Sequence, residues 1–292
     1  MKWLGVVDGR EDYSIAQKCH LVRSVGEWGG NLYIWNQFAW ESSYRSIPSE
    51  DLSALARLAS AASNAGMALW VGVKPGDHSD CMHAQDRELF RSNARTLLAH
   101  GADGIYVPMD DTHPGGKIAS TDGEYQGRLI SELADDLGAG FKGICGEEYH
   151  GAGFNRMDYW QPILHALPEH ALVTWTGPRI WNRTLTGSDI PELDRPLLLW
   201  DNYFASDNSS IERAPTYPLD GRDASLLDSV DGYVVHPNLH YPWQYCALRT
   251  TFRFLADPGR YAPEMAFKEA ILELGDNWWS AYLATCPTVI DD

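Results

Sequence analysis

Short apolar runs rich in β-branched and aromatic residues recur at Trp3–Val7, Asn31–Trp35, Ala68–Val73, Gly104–Val107, Phe141–Cys145, Ala171–Trp175, Pro196–Trp200 and Gly232–Val235, their starts 25 to 37 residues apart. That interval is the size of one strand-plus-helix unit. The segments between them agree. Leu52, Leu55, Ala56, Leu58, Ala59 and Ala62 form a stripe of period near 3.6 over Leu52–Asn64, opened by Ser49-Glu50-Asp51 and stopped at Gly66. Asp86–His100 and Gly123–Leu137 repeat the pattern and stop at Gly101 and Gly138. Continuous apolar strands alternating with amphipathic helices predict a parallel sheet. Eight such units in under 260 residues predict an α/β fold, the (β/α)8 TIM barrel. An open doubly wound sheet is the competitor, but Gly5-Val6-Val7-Asp8-Gly9 lacks the dinucleotide spacing. Tyr241–Leu255 and Ala262–Leu283 read as further helices. No linker or repeat divides the 292 residues, so one domain is expected over 1–292, with the barrel over about 1–256 and C-terminal helices over about 257–292.

A barrel demands that polar groups gather where strands end, because that face carries the chemistry in barrel enzymes. The strands exit in order at Asp8; Asn36-Gln37; Lys74 with Asp77 and His78; Asp110-Asp111; Glu147-Glu148-Tyr149; Trp175-Thr176-Gly177; Trp200-Asp201-Asn202; and His236-Pro237-Asn238. Asp8 and Asp77 sit next to glycines and also read as turn formers. Glu147 and Glu148 are ambiguous, one of them within reach of neutralisation by Arg179. The Asp110-Asp111 pair is the costly one, since adjacent carboxylates raise each other's pKa.

Composition narrows the chemistry. A formal charge of −17 argues against a sequence-independent grip on nucleic acid or an anionic membrane surface. Five widely spread cysteines without a CxxC pair make neither a disulfide framework nor a zinc module, so reduced thiols in a cytoplasm are expected. The apolar run after Lys2 is too short for a signal peptide, and no stretch reaches the roughly 20 apolar residues of a membrane helix. Twelve tryptophans and 14 tyrosines supply flat faces suited to sugar rings. Paired carboxylates in such a cleft suggest glycoside hydrolysis. Neighbouring aspartates on one strand end cannot easily straddle a ring, so they suit substrate-assisted chemistry, in which a 2-acetamido group is the nucleophile.

The chain resembles the catalytic domain of glycoside hydrolase family 84, the O-GlcNAcases and bacterial β-N-acetylglucosaminidases, from about Trp3 to about Leu255. The residues that carry the resemblance are Gly5-Val6-Val7-Asp8-Gly9, Asn31-Leu32-Tyr33-Ile34, Asp110-Asp111, Tyr149, Trp175-Thr176-Gly177-Pro178, Trp200-Asp201-Asn202-Tyr203 followed by Asp207, and Gly221-Arg222. It implies that Asp110 directs the acetamido nitrogen and stabilises an oxazoline, and that Asp111 is general acid, then general base. Tyr149 would hydrogen-bond the acetamido oxygen, Trp200 would wall its methyl pocket, Asn202 would hold the amide region, and Asp207 would accept from outer hydroxyls. Trp175 and His236 complete the expected substrate-binding set. No cofactor or metal is implied, and the partner is an N-acetylated amino-sugar glycoside; the oligomeric state is open.

Three departures stand out. The family's Gly-Phe-Tyr-Gly is Gly9-Arg10-Glu11-Asp12 here, its lysine after the second strand is missing from Trp35-Asn36-Gln37-Phe38, and its Asn-Pro is His236-Pro237. They point to a modified amino sugar, or GlcNAc on a small metabolite, and a compact cytoplasmic enzyme without carbohydrate-binding or stalk domains is expected. Two alternatives remain at this level. A metal-dependent hydrolase or deacetylase would use Asp110-Asp111-Thr112-His113 with His236 and His240, although Pro237 disfavours the helix that would put those histidines on one face. A catalytically idle amino-sugar-binding protein would keep the pocket and lose turnover.

Overall fold

The computed structural model describes residues 1–9, 13–38, 47–74, 84–110, 123–205, 216–237 and 243–278. Its centre is a closed parallel barrel of eight strands: β1 (Trp3–Asp8), β2 (Leu32–Phe38), β3 (Ala68–Val73), β4 (Gly104–Pro108), β5 (Phe141–Cys145), β6 (Leu172–Trp175), β7 (Leu197–Asp201) and β8 (Gly232–Val235). Each strand pairs with its sequence neighbours, and β1 closes on β8 in the register Trp3↔Gly232 to Val6↔Val235. That closure excludes the open doubly wound sheet.

Alternation along the strands divides the core in two. Val7, Ile34, Trp70, Tyr106, Leu198 and Val234 point inward and form one cluster with Trp200 and Tyr149. Val6, Tyr33, Val71, Val107, Leu199 and Val235 point outward into the larger cluster shared with the helices. Burial on both faces is why these strands read as unbroken apolar runs rather than alternating ones.

The helices are α1 (Ile15–Glu27), α2 (Ser49–Asn64), α3 (Ala84–Ala99), α4 (Gly123–Leu137), α5 (Met157–Ala166), α6 (Leu226–Ser229), α7 (Trp243–Ala256) and α8 (Pro263–Glu273). A capping box opens α1: Gln17 N–H donates to Ser14 Oγ at 3.3 Å, and Ser14 N–H donates to Gln17 Oε1 at 2.9 Å. The expected stops are found, with Gly66, Gly101 and Gly138 all at positive φ. Two expectations need correction. The helix expected over Ala262–Leu283 ends at Glu273, because Gly275 adopts φ +114° and breaks it. Among the described residues the helix layer also thins after β6 and β7, where a 3-10 turn at Gly187–Asp189 and the single-turn α6 are found. The β6–β7 spacing is the shortest in the chain, and Gly177-Pro178 interrupts it, so little of it is left for a helix. Among the described residues no helix is long and apolar enough to cross a membrane.

Candidate active site

The C-terminal ends of the strands form a mouth whose inward positions are set by alternation. Asp110 lies two inward steps beyond Tyr106 on the β4 exit, and Met109 N–H donates to Cys145 O at 2.7 Å, which carries the strand geometry up to it. Asp110 is half-buried. Burial holds the Tyr106 phenol far above its ordinary pKa, and Cys145 and Asp110 add to the shift, as expected for a carboxylate facing the barrel interior. Tyr106 is held beneath the mouth by a 2.6 Å hydrogen bond with Thr174 Oγ1.

Across the mouth, β7 and β8 supply a linked cluster. Trp200 Nε1–H donates to Asn202 Oδ1 at 2.9 Å, and His236 Nδ1 lies 3.2 Å from the same oxygen. Asn202 Nδ2–H donates to Ile180 O at 2.9 Å, which fixes the amide orientation and makes Oδ1 the acceptor for both rings. His236 must then carry its proton on Nδ1 to bond Asn202. The His236 ring stands edge-on to Trp200 with centroids 5.7 Å apart, and Trp200 is 6.2 Å from Tyr106. Trp200 is thereby locked as a wall facing the barrel interior. Tyr149, past β5, joins the same inner cluster, and its carbonyl accepts from Thr176 N–H at 3.2 Å.

Asp110, Tyr149, Trp200, Asn202 and His236 thus converge on one mouth. Trp175 does not join them. It lies one residue past the inward Thr174, so its ring turns outward into the core beneath the helices and is 2% exposed. Asp111 and Asp207 lie outside the described residues, as do Asp77, His78, His113, Asn238 and His240. Among the described residues no group of three potential metal ligands stands together.

Two other strand-end carboxylates are pillars rather than members of the mouth. Asp8 faces outward, buried, 2.8 Å from Lys18 Nζ on α1 and hydrogen-bonded by Tyr33 OH. Asp201 also faces outward and takes both forks of Arg222, Nε at 2.7 Å and Nη2 at 2.8 Å, with Tyr233 OH and Tyr203 N–H as further donors. Burial alone would raise the Asp201 pKa, but the Arg222 guanidinium outweighs it and holds the carboxyl below its ordinary range. Arg222 in turn donates to Asn182 O and Arg183 O, both at 2.9 Å, tying the β6 and β7 loops together behind Trp200 and Asn202. Glu148 pairs with Arg156, not Arg179. The missed signal was parity: Asp201 follows the inward Trp200 and must face the other way.

An eight-stranded barrel with an aromatic wall and a carboxylate at its C-terminal mouth belongs to the class of barrel proteins whose rim carries the site. A family model described as beta-N-acetylglucosaminidase matches residues 14–285, and the chain belongs to that family. A mutant of the Thermobaculum terrenum O-GlcNAc hydrolase superposes with a TM-score of 0.83 at 21% identity, over 95% of this chain and 64% of that one. CpGH84B superposes with a TM-score of 0.82 at 18% identity, over 95% of this chain and 52% of that one. The chain therefore spans less than two thirds of the length of either, and at these identities the likeness is one of fold.

Proposed function

We propose that the protein hydrolyses 2-acetamido-2-deoxy-β-glycosides with retention, through an oxazoline formed by the substrate itself. The observation that carries this reading is the placement of Asp110 at an interior-facing strand exit, with the Trp200–Asn202–His236 wall three strands further round the barrel. The acetamido oxygen attacks C1 as the C1–O bond to the leaving group breaks, and Asp111 gives its proton to the departing oxygen. Asp110 accepts from the acetamido N–H and balances the charge of the oxazolinium. Water then adds to C1, Asp111 takes its proton, and the C1–oxazoline bond opens to restore the acetamide.

Tyr149 donates to the acetamido oxygen and Trp200 encloses its methyl group. Asn202, already held by Trp200, His236 and Ile180, keeps one N–H for the amide region. Asp207 accepts from an outer hydroxyl. The roles of Asp111 and Asp207 rest on the family and on their place in the chain. We read residues 1–292 as one catalytic unit acting in a cytoplasm on an N-acetylated amino-sugar glycoside, without a metal or cofactor.

A panel of aryl 2-acetamido glycosides, with the anomer of the first-formed product followed by NMR, tests the reading. Retained configuration and failure of substrates lacking the acetamido group are expected. Equal cleavage of the free amine would overturn the neighbouring-group mechanism.

A further inference from the structure

The loop that leaves β6 carries two exposed apolar side chains, Ile180 with 48% and Trp181 with 41% of its surface in water. Single exposed apolar residues are ordinary on a protein. This loop differs because it is held at several points. Asn182, buried within it, donates from Nδ2 to Thr176 O at 2.8 Å and accepts from Arg179 N–H at 3.0 Å, and Arg222 holds the carbonyls of Asn182 and Arg183. Trp181 Nε1–H donates to Tyr203 O at 3.1 Å, and its ring lies 12° from parallel to the Tyr203 ring with centroids 6.4 Å apart. The Arg222 guanidinium stands 4.6 Å from the centre of that same Tyr203 ring. An indole pinned in this way offers flat contact area whose ordering entropy is already lost in the free protein.

Charge on the loop is unmatched as well. Acidic residues outnumber basic ones by 40 to 23, and arginines on neighbouring loops find carboxylates, Arg156 with Glu148 and Arg222 with Asp201. Arg179 and Arg183, exposed and two residues to either side of Trp181, make no ion pair among the described residues. A guanidinium is a donor fork for a carboxylate or phosphate. The loop also meets the wall of the mouth directly, since Ile180 O accepts from Asn202 Nδ2–H. In a 2-acetamido glycoside the leaving group sits on C1, next to the carbon that bears the acetamido group. It therefore emerges beside the Trp200–Asn202 wall, on the part of the rim that Ile180 and Trp181 form.

We infer that Trp181, with Ile180 beside it, is the platform for the leaving group, and that the leaving groups selected are flat-ringed and anionic, their negative charge met by Arg179 and Arg183. This deepens the amino-sugar reading above and rests on it. Trp181 touches no reacting atom; it sets which glycosides are taken.

Binding and turnover test the platform separately from the hydrolase reading. N-acetylglucosamine, which has no leaving group, and its methyl, phenyl and 4-carboxyphenyl β-C-glycosides, which have no bond to hydrolyse, are titrated calorimetrically. The proteins are wild type, Trp181→Ala and the double variant Arg179→Gln with Arg183→Gln, and the matching O-glycosides are assayed for kcat/KM. Trp181→Ala is expected to weaken the phenyl and 4-carboxyphenyl ligands about fivefold or more, the size of a lost aromatic contact, and to change the other two less than about twofold. Trp181→Leu, which keeps apolar bulk without the flat face, serves if Trp181→Ala does not fold. The double arginine variant is expected to weaken only the 4-carboxyphenyl ligand, about threefold or more at low salt, with the wild-type preference shrinking as salt rises. Equal weakening of all four ligands by Trp181→Ala would show that the indole only props Asn202, and that result, or no weakening, would overturn the platform. Equal affinity of wild type for the phenyl and 4-carboxyphenyl ligands at low salt would overturn the anionic preference. Ring-dependent binding without turnover of any O-glycoside would uphold the platform and sink the hydrolase reading. Absence of both binding and turnover would overturn both.

Discussion

Asp110 and Trp200 show what a single residue's direction decides. Trp175 and Trp200 both end strands and both read as rim aromatics, yet one faces the helices and the other the mouth. Residue type does not distinguish them; a one-residue change of register would exchange their faces. For the carboxylates, Asp110→Asn and Asp111→Asn are each expected to lower kcat by about 10²–10⁴-fold, the range of positioned acid–base groups. Steady-state kinetics on an aryl 2-acetamido glycoside measure this, with Asp111→Asn hurting poor leaving groups most. Asn202→Ala removes the 2.9 Å anchor of the Trp200 indole, and kcat/KM is expected to fall about five- to tenfold, consistent with a net hydrogen bond of about 1 kcal/mol. An unchanged kcat/KM would mean that packing against Tyr106 and His236 holds the wall and that Asn202 gives nothing to the amide.

Between neighbouring elements, buried charge pairs set the loops that carry these residues. Arg222 joins Asp201 at the end of β7 to the carbonyls of Asn182 and Arg183. Arg222→Met leaves a buried, unpaired carboxylate and is expected to cost about 3–5 kcal/mol at neutral pH. Because Arg222 lowers the folded-state pKa of Asp201, the pair's contribution is fully present above the unfolded pKa of about 4. It is lost as pH falls through the folded-state value, so the gap between variant and wild type should narrow with acid in urea unfolding. A gap that stayed constant down to pH 3 would show that packing, not charge, is what Arg222 contributes. Gly177, at φ +126° in the turn after β6, is the backbone counterpart: a Cβ there would meet Asn182 Nδ2 at 2.1 Å. Gly177→Ala is expected to destabilise by about 1–3 kcal/mol and to raise KM, since the displaced Asn182 sits beneath the loop that anchors Asn202.

At the scale of the whole molecule, the −17 charge is spread over a fold with exposed, individually weak ion pairs such as Arg95–Glu88 within α3. Self-repulsion should outweigh them, so salt is expected to raise the Tm; a Tm that falls with added salt would reverse that ranking. The barrel was legible in the sequence because burial on both faces forces each strand into an apolar run and each helix into a 3.6-residue stripe. Strand order and closure then follow from short right-handed crossovers between consecutive strands. The sequence by itself therefore determined the architecture, the helix stops and the strand ends from which the site is built. Only the tertiary structure decided which strand-end groups face the mouth: it turned Asp8, Trp175 and Asp201 outward and left Asp110, Trp200 and His236 within. The reason is that a group's chemistry is written in its residue type, whereas its direction depends on register and on distant partners such as Lys18 and Arg222, which no local pattern encodes.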